Sequence, residues 1–185
     1  MIDQASGKHL FLVLGLSLLF FSPILILIIP TMIPMTLYFE KYTWVYYTLG
    51  ESYLVFGFGL ATLIVCCAIL FLGKLKKWAV SVGIILTVLA CFLFYGSAVG
   101  FIAFADEGIT YRGIFENEKK FFGWDEIGHV KIEQLVRGTP PEITFTLKDG
   151  EVLSFTENGH VRDIRGSMRA KFQKYNIPME HTYAD

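Results

Sequence analysis

Arg162, Arg165 and Arg169 are the residues whose type and spacing come nearest to a binding chemistry. Steps of three and four put them on one face of a helix, where a stripe of guanidinium groups can meet phosphates, anionic headgroups or an acidic partner. The plainer expectation is a solvated face, because the surrounding 106–185 stretch is acidic overall, with 11 Lys or Arg against 14 Asp or Glu. On that view, changing all three to Gln barely alters stability.

Other reactive types are scattered. His9, His129, His160 and His181 lack the spacing of metal ligands. Trp124-Asp125-Glu126-Ile127 reads as two core residues around a turn that Asp125 caps, and Asp106-Glu107 as a solvated linker. The chain has no glycine-rich phosphate loop, no Gly-x-Ser-x-Gly elbow and no HExxH, and no serine or cysteine stands near a recognisable base. The expectation is therefore no catalytic residue, no cofactor and no metal.

The elements that must position these residues divide the chain. Residues 1–105 carry eight charged side chains and the remaining 80 carry 25. A soluble domain needs a charged surface, so the first part reads as membrane-embedded and the second as a small soluble domain. Three runs meet the length of about 20 apolar residues that spans a bilayer: 10–33, 53–72 and 78–104. None contains Asp, Glu, Lys, Arg or His, which disfavours a transporter or pump. The first run, at 24 residues, is longer than a cleavable signal core and reads as a retained helix. Pro23 is expected to kink it, and Pro30 with Pro34 to loosen its end.

Between the first two runs, residues 34–52 hold Tyr38, Phe39, Tyr42, Trp44, Tyr46 and Tyr47. Such rings favour the headgroup level, so the segment is expected to lie along the interface, with an aromatic binding surface as the alternative. Small residues four apart, at Gly57/Ala61, Ala79/Gly83 and Gly96/Gly100, fit close helix contacts within the chain or between copies. Cys66, Cys67 and Cys91 all lie in apolar runs, which excludes a disulfide framework. The lysines at 74, 76 and 77, with Lys8, put the N-terminus inside and the soluble domain outside, against Lys41 alone on the other side. A net charge of −1 argues against nucleic acid.

From Asp106 the period becomes two. Ile109 and Tyr111 alternate with polar residues, as do Val130 and Ile132, and Pro140-Pro141 marks a loop. In "EITFTLKDGEVLSFTE" the apolar faces agree only if Lys148-Asp149-Gly150 is a three-residue loop, which pairs Phe145 with Leu153 and Ile143 with Phe155. Asn158 reads as an N-cap. Val161, Ile164, Met168, Phe172 and Tyr175 then form a helical apolar stripe, and residues 177–185 a loose tail.

About five strands in 106–176 followed by one helix outline a pleckstrin-homology-like (PH-like) curved antiparallel sheet closed by a C-terminal helix. Gly108-Ile109 after the last apolar run, with Trp124-Asp125-Glu126-Ile127 and Val130, resembles the bacterial membrane-attached PH-like domain proteins. The resemblance implies a multi-pass protein of the bacterial cell membrane that carries an interaction, regulatory or assembly module. Its partners would be the bilayer and a protein or a second copy. A small membrane protein of the immunity type has the same outline and is the alternative; a transporter component fits less well.

Overall fold

The computed structural model describes residues 4–38, 42–134 and 138–183. Phe39, Lys41 and Arg137 lie outside the described residues. The chain divides into two compact units. A helical unit holds Met1–Leu37, Gly50–Gly100 and Ile114–Glu116, and a sheet unit holds Tyr38–Leu49, Phe101–Gly113 and Asn117–Asp185.

The helical unit contains α1 (Gln4–Leu37), α2 (Gly50–Leu72) and α3 (Lys77–Val99). All three are long and apolar enough to cross a membrane. Contrary to expectation, α1 stays helical through Pro30 and Pro34. At Pro23 the ring removes the donor for the Leu19 carbonyl, and the Ser22 hydroxyl donates to that oxygen at 2.8 Å. The α1–α2 contact includes a hydrogen bond between Thr31 Oγ1 and Tyr53 OH at 3.0 Å. Between α2 and α3, Gly59 lies beneath the Phe94 ring so closely that a Cβ there would stand 2.6 Å from it. Gly83 packs on Leu70, and its carbonyl accepts from Cys66 Sγ at 3.4 Å. These small residues serve packing within the chain. Phe115 also belongs to this unit, stacked on Phe92 with centroids 4.8 Å apart and lying over Gly96.

Among its described residues the sheet unit has eight strands: β1 (Thr43–Thr48), β2 (Phe101–Ala105), β3 (Gly108–Arg112), β4 (Lys120–Gly123), β5 (Ile127–Gln134), β6 (Glu142–Leu147), β7 (Val152–Thr156) and β8 (Met179–Tyr183). They form two four-stranded sheets, ordered β1-β2-β3-β4 and β7-β6-β5-β8. The five strands expected between 106 and 176 are present. The other three come from segments read otherwise.

The aromatic connection forms a strand, Thr43–Thr48 pairing antiparallel with Phe101–Ala105. Two of its rings pack against aromatics of the sheet unit, while Tyr42 stays exposed. Trp44 stacks on Trp124 at 5.8 Å, and Tyr47 packs on Phe155 while donating its hydroxyl to the Thr156 carbonyl at 2.8 Å. The third apolar run likewise does not stay helical to Phe104. Its helix ends at Val99, and Phe101, Ile102, Ala103 and Phe104 form a strand buried on both faces. A strand covered on both sides loses the alternating pattern, so its composition cannot be told from helix. The tail is also structured, since β8 runs parallel to β5 with Val130 opposite Met179 and Ile132 opposite His181.

The β6–β7 hairpin has the expected register, Ile143 opposite Phe155 and Phe145 opposite Leu153, with Gly150 at φ +92°. After β7 come α4 (Gly159–Asp163) and α5 (Arg165–Lys174). Asn158 caps α4, its side chain accepting the Val161 N–H at 2.9 Å. Val161, Met168 and Phe172 are buried, while Tyr175 at the end of the stripe is exposed. Phe172 meets Trp124 and Phe145 at ring distances of 6.0 and 6.1 Å, which places these aromatics in one core.

Candidate anion-binding site

Two short helices and the end of a strand bring the arginines together. Glu157 follows β7 directly and precedes the cap of α4; its backbone N–H donates to the Pro141 carbonyl at 2.8 Å, which ties the Pro140-Pro141 loop to this corner. Arg162 lies on α4, Arg165 opens α5, and Arg169 follows one turn later. All three line a cavity of about 360 Å³, together with Glu157, Thr139, the two prolines and His181 of β8. Gln134 Nε2 donates to the Thr139 carbonyl at 2.8 Å and holds the rim.

The electrostatics of this cavity are asymmetric. The Glu157 side chain is only 1% exposed, yet it is a carboxylate, and a buried charge needs a partner. Arg165 supplies it with a two-pronged contact, Nε to Oε1 at 2.5 Å and Nη2 to Oε2 at 2.8 Å. Arg162 Nε stands 3.8 Å from Oε2 as a looser second cation. Arg169 is exposed and has no polar partner among the described residues. Three guanidinium charges against one carboxylate leave the wall two charges positive. A guanidinium stays protonated at any ordinary pH and only donates, so these side chains can donate to an anion but do not move protons.

Arg162 and Arg169 are exposed, but Arg165 neutralises a buried acid. No sequence spacing marks Glu157 as part of this site, and His181 stands in the sequence only as one of four scattered histidines. Glu157 stands eight residues before Arg165 across a helix break, outside any helical spacing rule, and His181 reaches the cavity only because the tail forms a strand. A narrow apolar cleft adjoins, lined by Met168, Phe172 and Met179, and shares Ile132, Arg165, Arg169 and His181 with the cavity.

The other singled-out residues stay apart. His129 Nε2 stands 3.7 Å from Glu180. His160 is exposed on α4, and His9 lies beside the Phe71 ring in the helical unit. No group of three His, Cys, Asp or Glu side chains suited to a metal ion occurs among the described residues. Asp125 is not the turn cap: Glu126 accepts the Gly123 N–H at 2.7 Å. Trp124 is fully buried, with Nε1 donating to the Ala105 carbonyl at 3.0 Å. Asp106 is more than linker, since its carboxylate pairs with Lys171 of α5 at 3.1 Å.

No family model matches this chain, and no curated protein matches it. Among solved structures, the Spt16D–Pob3N heterodimer aligns with 46% of this chain and 47% of that chain at 16% identity, with a TM-score of 0.34. The chain thus spans about half the length of that structure's chain, and a likeness this slight carries no argument about function.

Proposed function

We propose that this is a non-enzymatic multi-pass membrane protein whose sheet unit is a PH-like interaction or regulatory module, closed by α5. One observation carries the reading: the polar constellation of the sheet unit is a cavity walled by Arg162, Arg165 and Arg169, with Arg165 held by buried Glu157. Permanently protonated donors recognise and do not exchange protons, which suits a module that binds. Three apolar helices anchor it in the bilayer. The lysines at 74, 76 and 77 favour an inside N-terminus with the sheet unit outside, and the resemblance noted above supports the bacterial cell membrane as the location. The anion contact is made by Arg162, Arg165 and Arg169, from a partner's acidic group or an anionic headgroup.

The experiment is site-specific photo-crosslinking in cells, with the photoreactive residue at Ser167 on the exposed face of α5. A discrete cross-linked species that vanishes when Arg162 and Arg169 are changed to Gln supports the reading. An unchanged pattern in that double variant removes the arginine wall from the contact.

A further inference from the structure

We propose that the arginine-lined cavity takes a small phosphate monoester in its dianionic form. The proposal rests on the sheet unit being a binding module and gives its arginines a small soluble ligand in place of the partner group or headgroup considered above. Charge is the first reason. The wall carries a surplus of two positive charges over Glu157, and a phosphate monoester carries about −1.5 to −2 at neutral pH.

Donor geometry is the second. Arg162, Arg165 and Arg169 come from three successive turns around the break at Ile164, so their forks approach one cavity from different heights. A planar carboxylate is served by one fork, as Glu157 is by Arg165. A tetrahedral group with three terminal oxygens can engage the remaining forks together. Glu157 matters here because it fixes Arg165 before any ligand arrives, which lowers the ordering cost of binding.

Size is the third. At about 360 Å³ the cavity falls in the range of small-molecule sites, roughly 300–1,000 Å³, rather than that of a flat headgroup platform. Its non-arginine wall includes Ile132, Pro140 and Pro141, so the ester's organic part meets apolar surface while the phosphate faces the guanidiniums.

The test uses the full chain purified in detergent micelles and calorimetric titration with phenyl phosphate, phenyl sulfate and inorganic phosphate. Phenyl sulfate has the same shape with a single charge. The expected result is that phenyl phosphate binds at least tenfold more tightly than phenyl sulfate. Arg169→Gln, which breaks no contact with Glu157, should weaken phenyl phosphate binding by about 10- to 100-fold, as loss of a charged hydrogen bond does, with an unchanged melting curve. Equal affinity for both esters, or wild-type affinity in Arg169→Gln, overturns the proposal. A second arm uses nanodiscs with and without phosphatidic acid. Thermal stabilisation by that lipid, with no heat from the soluble ester, makes the source a membrane headgroup and overturns the small-ligand assignment. If both ligand arms fail while the photo-cross-link persists, this inference falls and the module reading stands.

Discussion

Arg165 holds Glu157 through both prongs of its guanidinium, at 2.5 and 2.8 Å, while the Glu157 carboxylate is 99% withdrawn from water. The pair links the strand that ends at Thr156 to the helix that starts at Arg165. It therefore sets both the packing of α5 and the position of the arginine wall.

Arg165→Gln should consequently lower stability, unlike the other two arginines. Removing the partner of a buried acceptor costs about 1–3 kcal/mol, and the larger values reported for fully buried pairs do not apply because Arg165 is 41% exposed. Arg162→Gln and Arg169→Gln should each cost less than about 0.5 kcal/mol, as exposed charges do. Thermal melts of the three single variants decide it. Equal melting temperatures across the set would return Arg165 to the solvated face that its sequence context suggests.

A double variant sharpens this. With Glu157→Gln the buried charge is gone, so adding Arg165→Gln should cost less than it does alone. The signature is a coupling of about 0.5–3 kcal/mol in a double-mutant cycle, as for residues in direct contact. Strict additivity would mean that the two side chains do not depend on each other.

In the core, Phe145 is 1% exposed and packs on Phe155 and Phe172 at 5.8 and 6.1 Å. Phe145→Ala should cost about 3–5 kcal/mol. A loss of that size is a large share of a small domain's total stability, and the variant should melt well below the parent.

How far the sequence reveals this fold is clearest from three strands it hides. The Ile143–Phe155 hairpin register follows from local alternation and from Gly150, because its partners stand only twelve residues apart. The β1–β2 pairing joins Tyr46 to Ala103 across 57 residues, and no local period announces a contact of that span. Phe101–Phe104 are apolar at every position because both faces of their strand are covered, so they extend a membrane-like run without a visible seam. Met179–Tyr183 has few apolar residues to mark it as a strand, since it lies at a sheet edge with 180–182 exposed. The site was half legible for the same reason. Arginines at helical spacing are visible in one turn of text, whereas Glu157 and His181 join them only through folding.

Those hidden strands make a deletion informative. A fragment of residues 106–180 lacks β1, β2 and most of β8. It removes the Ala105 carbonyl that accepts from Trp124 Nε1, and the Trp44 ring stacked on Trp124. This fragment should show no cooperative melt, and its Trp124 fluorescence should resemble that of a solvated indole. A sharp transition with a blue-shifted Trp124 would show that β3–β7 fold without their outer strands, which the burial of Phe104 against Phe145 and Phe155 argues against.

Orientation can be read from two positions whose surroundings are known. Leu75 sits in the tight turn between α2 and α3, at φ +55°, flanked by Lys74, Lys76 and Lys77. Thr182 is exposed on β8. With Cys66, Cys67 and Cys91 replaced by alanine, a single cysteine at either place reports its side of the membrane. On the orientation proposed above, the lysine-rich turn is inside, because short loops dense in Lys resist translocation, and Thr182 is outside. A membrane-impermeant maleimide added to intact cells should label Thr182→Cys and leave Leu75→Cys unreacted until the cells are permeabilised. The reverse pattern would invert the orientation, and labelling of both in intact cells would mean that the helices do not cross three times.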